Sequence, residues 1–180
     1  MCKNPTLMGN RAVLRAALVA FLASRAIVFL SLLVISQISF LEKVYSSSVW
    51  QTRIVLQSDR VRPELTRMVM AGDGWWYRRI AENGYTVASP NDQNKLAFSP
   101  LYPLLVRASR VTGDFALDGV ILSNVAFLMA LIAFGNLAVR SGLENQDAER
   151  AIFYLAFFPT SYFFSLPMTE SVFLLFTGTC

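Results

Sequence analysis

Residues 16–40 read AALVAFLASRAIVFLSLLVISQISF. This run of roughly 25 residues carries a single charge, Arg25, and is long enough to cross a hydrocarbon core of about 30 Å. A cleaved signal peptide has a shorter apolar core and a small-residue cleavage site, so the expectation is a retained signal-anchor helix. The residues before it hold Lys3, Arg11 and Arg15 and no acid. By the positive-inside rule that places the N-terminus in the cytoplasm.

Working outward, residues 119–139 (GVILSNVAFLMALIAFGNLAV) form a second apolar run of spanning length, followed by a short polar turn from Arg140 to Arg150. Residues 151–166 (AIFYLAFFPTSYFFSL) form a third, shorter span interrupted by Pro159, and a fourth begins at Ser171. The fold expected is all-α: a single polytopic membrane domain over residues 1–180, with a long external loop, 41–118, that carries interfacial helices. Counting crossings puts the 167–171 turn on the same non-cytoplasmic face as that loop. The last run, Ser171 to Cys180, is too short to span, and the chain reads as the N-terminal part of a larger membrane protein.

Composition agrees. The 180 residues are 54% hydrophobic and 16% charged, against about 25% charged in an average soluble domain, and the mean hydropathy is +0.46. In such a chain the net charge of +4 points to loops near lipid headgroups rather than to nucleic acid. There is no histidine, which excludes a histidine-ligated metal and any histidine-based triad or relay. Cys2 and Cys180 offer neither zinc spacing nor a disulfide framework. No cofactor is implied, and a divalent metal is not indicated.

The chemistry-bearing stretch lies inside the long loop: Gly72-Asp73-Gly74-Trp75-Trp76-Tyr77-Arg78-Arg79, continuing to Gly84-Tyr85. Before it, Pro63 suits the first turn of a helix. Leu65, Met68, Val69, Gly72 and Trp76 then recur at helical spacing, as in a helix lying at the membrane interface. Asp73 fits two readings, a general base that activates an acceptor hydroxyl and the N-cap of a helix running to Asn83 with Gly84 as its stop. The flanking glycines would let a substrate approach the backbone. Arg78 and Arg79 suit a phosphate clamp or contact with lipid headgroups, and Trp75 lies at the spacing for a ring–cation contact with either. Trp76 and Tyr77 could stack on a sugar or join an interfacial aromatic belt.

Two further charges stand out. Glu170 lies at a membrane boundary, where acids are functional candidates; it also suits the start of a helix, where the dipole favours a carboxylate. Arg25, inside the first span, needs a polar cavity or an acid from another span, unless it snorkels to the interface. Residues 97–112, broken by Pro100 and Pro103, read as an interfacial or re-entrant helix.

Four ordered pieces carry a family resemblance. They are Ala23-Ser24-Arg25; Asp73-Gly74-Trp75-Trp76-Tyr77 with Ile80-Ala81 and Gly84-Tyr85; Phe98-Ser99-Pro100-Leu101-Tyr102-Pro103-Leu104; and Phe158-Pro159-Thr160-Ser161 leading to Pro167 and Thr169-Glu170-Ser171. Together they resemble the PIG-V-type mannosyltransferases, which add the second mannose to GPI anchors, and their prokaryotic relatives among the GT-C glycosyltransferases. The family often has Trp where Gly72 stands, and its members are longer, with many more spans.

The resemblance implies inverting transfer of a sugar, usually mannose, from a polyprenyl-phosphate donor to a glycolipid or glycan acceptor on the non-cytoplasmic face of a bacterial plasma membrane. It gives Asp73 the role of catalytic acid/base. The substrate-binding candidates are then Glu170, Arg78, Arg79, Trp76, Tyr77 and Arg25. Transfer of a different sugar is the alternative within enzymes, and a membrane protein without transferase activity is the alternative outside them.

Overall fold

A computed structural model describes residues 5–36, 66, 68–70, 72–85, 96–109 and 111–179. The described elements are helical, with no strand among them. They are α1 (Pro5–Ser36), α2 (Gly74–Asn83), α3 (Leu101–Ser109), α4 (Phe115–Arg140), α5 (Asn145–Phe157), a 3₁₀ segment (Pro159–Ser165) and α6 (Glu170–Thr179).

Two stretches, Arg11–Ser36 in α1 and Phe115–Arg140 in α4, are long and apolar enough to cross a membrane, each of 26 residues. At 1.5 Å per residue that is roughly 39 Å. α1 starts at Pro5, well before residue 16, with proline in the first turn where its missing N–H costs nothing. The end expected at residue 40 lies outside the described residues. Much of α1 is apolar but unburied: Leu22, Leu30 and Val34 are each at least 60% exposed. Those exposed apolar side chains lie along a helix long and apolar enough to cross a membrane.

Residues 151–166 do not form one helix. Phe158, which precedes proline, adopts an extended ψ of 138° and closes α5, as the proline ring disfavours the α conformation before it. Pro159 offers no N–H, and the chain continues as a tighter 3₁₀ segment. α6 begins at Glu170, one residue before the start read from sequence. Inside the long loop, α2 and α3 have 10 and 9 residues, too few to span. Thr66, Met68 and Val69 are helical; Pro63 and Leu65 lie outside the described residues.

The described residues fall into two compact units. The first gathers those within Met1–Val28, Ser123–Ser165 and Thr169–Cys180. Its core is built on small residues: Val13, Ala16, Ala17 and Ala20 of α1 meet Phe127 and Leu131 of α4 and Ile152 and Ala156 of α5. Small side chains let helices approach closely where lipid supplies no hydrophobic drive. Gly135 marks the tightest point. A Cβ there would lie 2.6 Å from Ile152 Cδ1 and 2.7 Å from Val13 Cγ1. The rings of Phe127 and Phe164 stack at 4.7 Å in the same unit.

The second unit gathers those within Phe29–Leu122 and Leu166–Met168. It holds α2, α3 and the start of α4. Two acids that merely separate elements in the sequence organise that start. Asp114 Oδ1 accepts from the Ala116 N–H at 2.8 Å, a side-chain cap on α4. Asp118 is buried and takes the Thr112 N–H (2.7 Å), the Thr112 hydroxyl (2.8 Å) and the Gly113 N–H (3.2 Å). Both carboxylates thereby fix the turn that enters α4.

Gly135→Ala is expected to lower stability by about 1–2 kcal/mol, the overpacking cost exceeding the gain in helix propensity. Thermal unfolding in detergent checks it. Adding Val13→Ala, which opens space at the clash, should restore part of the loss, whereas simple additivity would refute the packing account.

Candidate active site

Asp73 occupies the N-cap position of α2, and its carbonyl accepts from the N–H groups of Trp76 (2.9 Å) and Tyr77 (3.2 Å). Its side chain makes no capping hydrogen bond and is exposed. The residue thus starts the helix through its backbone and leaves the carboxylate outward. Gly84 ends α2 at φ 66°, its N–H returning to the Ile80 carbonyl, the stop expected of a glycine in that position.

α2 brings Trp76, Tyr77, Arg78 and Arg79 together. Tyr77 is buried, edge-on to Phe98 at 5.2 Å and tilted against Tyr102 at 5.3 Å. Trp76 stacks on Phe98 at 6.0 Å. Tyr102 donates its hydroxyl to the Gly119 carbonyl at 3.0 Å, and Tyr85 donates to the Phe98 carbonyl at 2.7 Å. Desolvation raises the Tyr85 phenol above its ordinary pKa. Two of the four resemblance pieces therefore supply one aromatic floor beneath α2, and the Phe98–Tyr102 stretch is its base.

The two arginines divide. Arg78 is buried and donates through Nε to Glu82 at 2.9 Å, one turn on. It lies over the Trp75 ring at 5.8 Å, whereas Arg79 lies over Trp76 at 5.6 Å rather than over Trp75. The i,i+3 spacing selects the partner in each case. Arg79 is the more open of the pair.

The glycines beside Asp73 meet protein. A Cβ at Gly72 would come 3.3 Å from Met168 Cε, and the residue has φ +74°. A Cβ at Gly74 would lie 3.6 Å from the Pro167 carbonyl oxygen. Gly72 meets Met168 on one side and is otherwise exposed, and Gly74 is buried against Met70 and Pro167. Leu166–Met168 belongs to the same unit as Asp73.

Arg25 and Glu170 lie in the first unit. Glu170 opens α6, half-buried in its first turn, where the helix dipole favours an acid. Arg25 is buried and, among the described residues, makes five hydrogen bonds, none to a carboxylate. Nη1 donates to the Ser161 carbonyl (2.9 Å) and the Ser165 hydroxyl (2.7 Å). Nη2 donates to the Ser161 hydroxyl (3.1 Å) and the Ala156 carbonyl (3.4 Å), and Nε to the Ser24 hydroxyl (3.3 Å). Its guanidinium also sits 4.6 Å from the Phe127 ring centre.

Of the sequence alternatives, neither an ion pair nor snorkelling describes this side chain. It is a buried cap on the broken end of α5. Ser165 extends the cluster by donating to Asn124 Oδ1 at 3.0 Å. Asn124 and Ser165 were silent in the sequence because a lone Asn or Ser in an apolar run has no spacing signature.

Among the described residues no group of three His, Cys, Asp or Glu side chains could hold a metal ion. No protein-family model, curated protein or solved structure matches the chain.

Arg25→Met should cost about 3 kcal/mol or more, since it strands several buried acceptors at once. Arg25→Lys should recover little of this, because one ammonium cannot reach oxygens arranged around a planar fork. Unfolding of the purified variants in detergent measures both. A Lys variant as stable as the parent would show that charge alone suffices.

Proposed function

We propose that the protein is an integral membrane glycosyltransferase. It moves a sugar, mannose in the first instance, from a polyprenyl-phosphate carrier to a hydroxyl of a glycolipid or glycan on the non-cytoplasmic face. The observation that carries the reading is the placement of Asp73. It is an exposed carboxylate at the N-terminus of α2, without a capping bond, on a helix that also bears Trp76 and Arg79.

In this reading Asp73 takes the proton of the acceptor hydroxyl while that oxygen bonds to the anomeric carbon. The bond from the anomeric carbon to the phosphate oxygen breaks, and its electron pair leaves with polyprenyl phosphate. Attack from the face opposite the leaving group inverts the configuration. A negative charge grows on the departing phosphate, and Arg79, with Arg78 behind it, is placed on the same helix to offset it. Trp76 offers ring surface for a sugar. Tyr77, buried against Phe98 and Tyr102, supports α2 from beneath. Glu170 opens α6 and Arg25 holds the α5 break, both within the first unit. The ordered sequence pieces that resemble the PIG-V-type enzymes support the same reading.

Asp73→Asn keeps size and shape and removes the base. Membranes carrying the protein are supplied with labelled polyprenyl-phosphate mannose and a glycolipid acceptor. Transfer should fall roughly 10²–10⁴-fold in the variant, the usual weight of a general base. Equal transfer by both proteins would remove the enzyme reading and leave a membrane protein without transferase activity.

A further inference from the structure

Asp73 is held by its backbone. With no side-chain bond at the cap, the aim of the carboxylate depends on the path of Gly72-Asp73-Gly74. That path leans on two buried residues far away in the chain, Pro167 and Met168. The Met168 N–H donates to the Leu166 carbonyl at 2.7 Å, closing a three-residue turn centred on Pro167. Proline holds φ near −65°, close to what such a turn needs, so the segment is stiff.

This strap is pinned on both sides. On one side the Met168 methyl touches Gly72, where a Cβ would lie 3.3 Å away, and the Pro167 carbonyl, with Met70, faces Gly74. On the other, Pro167 seats on Gly119 of α4, where a Cβ would stand 2.7 Å from Pro167 Cβ. The Gly119 carbonyl in turn takes the Tyr102 hydroxyl, and Tyr102 packs on Tyr77 of α2. A closed circuit therefore runs from Asp73 through the strap to α4, then through Tyr102 and Tyr77 back to α2. Gly72, at φ +74°, has little intrinsic preference for its conformation, so it is the link that needs outside support.

We infer that Pro167 and Met168 are positioning residues for Asp73, the strap setting the backbone on either side of it and so the aim of its carboxylate. The consequence for catalysis rests on the reading of Asp73 as the base. The mechanical part does not, and the test separates them.

Met168→Ala removes the methyl that touches Gly72, and Met168→Leu returns most of the volume. Gly119→Ala pushes the strap from its far side and is a second, independent displacement. Hydrogen exchange is read at the amides of Trp76 and Tyr77, which donate to the Asp73 carbonyl. Amides of α5 serve as the control for global unfolding. Exchange at the two amides should quicken in Met168→Ala and Gly119→Ala and return in Met168→Leu, with α5 unchanged. In the transfer assay kcat should fall roughly tenfold or more with KM nearly constant, as expected of a misaimed base.

Unchanged exchange at Trp76 and Tyr77 overturns the inference. So does faster exchange with an unchanged kcat while Asp73→Asn is inactive, because the strap then holds the loop without aiming the acid. If Asp73→Asn transfers normally, the enzyme reading falls, and exchange alone decides whether the strap holds the loop.

Discussion

The broken end of α5 and the 3₁₀ segment after it close around the guanidinium of Arg25, which donates to the Ser161 carbonyl and, beside the Ser161 hydroxyl at 2.8 Å, to the Ala156 carbonyl. An unmet carbonyl inside an apolar unit costs as much as a lost hydrogen bond or more. A buried guanidinium without acceptors is costlier still. Each group is tolerable because the other is there. The Ala156 carbonyl and the Ser161 carbonyl and hydroxyl receive the fork, and Ser165 links it to Asn124 on α4. A cation at the C-terminal end of a helix also meets the favourable end of its dipole. The break, the arginine and the serines form one arrangement, around which the small-residue contacts of α1, α4 and α5 close.

In the second unit a different constraint rules: glycine used for approach. Gly72, Gly74 and Gly119 lie against Met168 or Pro167 at distances that a side chain would contest to different degrees. At Gly119 a Cβ would overlap Pro167; at Gly72 the left-handed backbone is the stronger reason for glycine; at Gly74 the contact is ordinary. The acid between the first two glycines gains a defined backbone without spending its carboxylate on a cap. An acceptor left outward at the start of a helix is available for chemistry, and one bonded to N3 is not. The aromatic floor of Phe98, Tyr102 and Tyr77 supplies the rigidity that a ten-residue helix lacks by itself.

Much was legible in the sequence. Helix character over 16–36 and 119–139, the start of α2 at Asp73, its stop at Gly84 and the interruption at Pro159 all follow from local rules: apolar run length, capping positions and the missing proline N–H. What Asp73 does with its side chain was not legible, since cap and base share the same residue and the same neighbours. The spacing offered Trp75 to either arginine, whereas Arg79 lies over Trp76. The buried roles of Asp114 and Asp118 were missed, although an acid just ahead of an apolar helix is a recognisable cap signal.

By itself, then, the sequence determined where the main helical stretches lie, and that two are long and apolar enough for a bilayer. These are properties of the backbone and of near neighbours in the chain. The tertiary structure decided what the polar groups do: Arg25 finding serines 136 and 140 residues away, and Met168 coming to rest against Gly72. Such choices turn on which acceptor or methyl group arrives within about 3–4 Å, and no periodicity records an arrival from the far end of the chain.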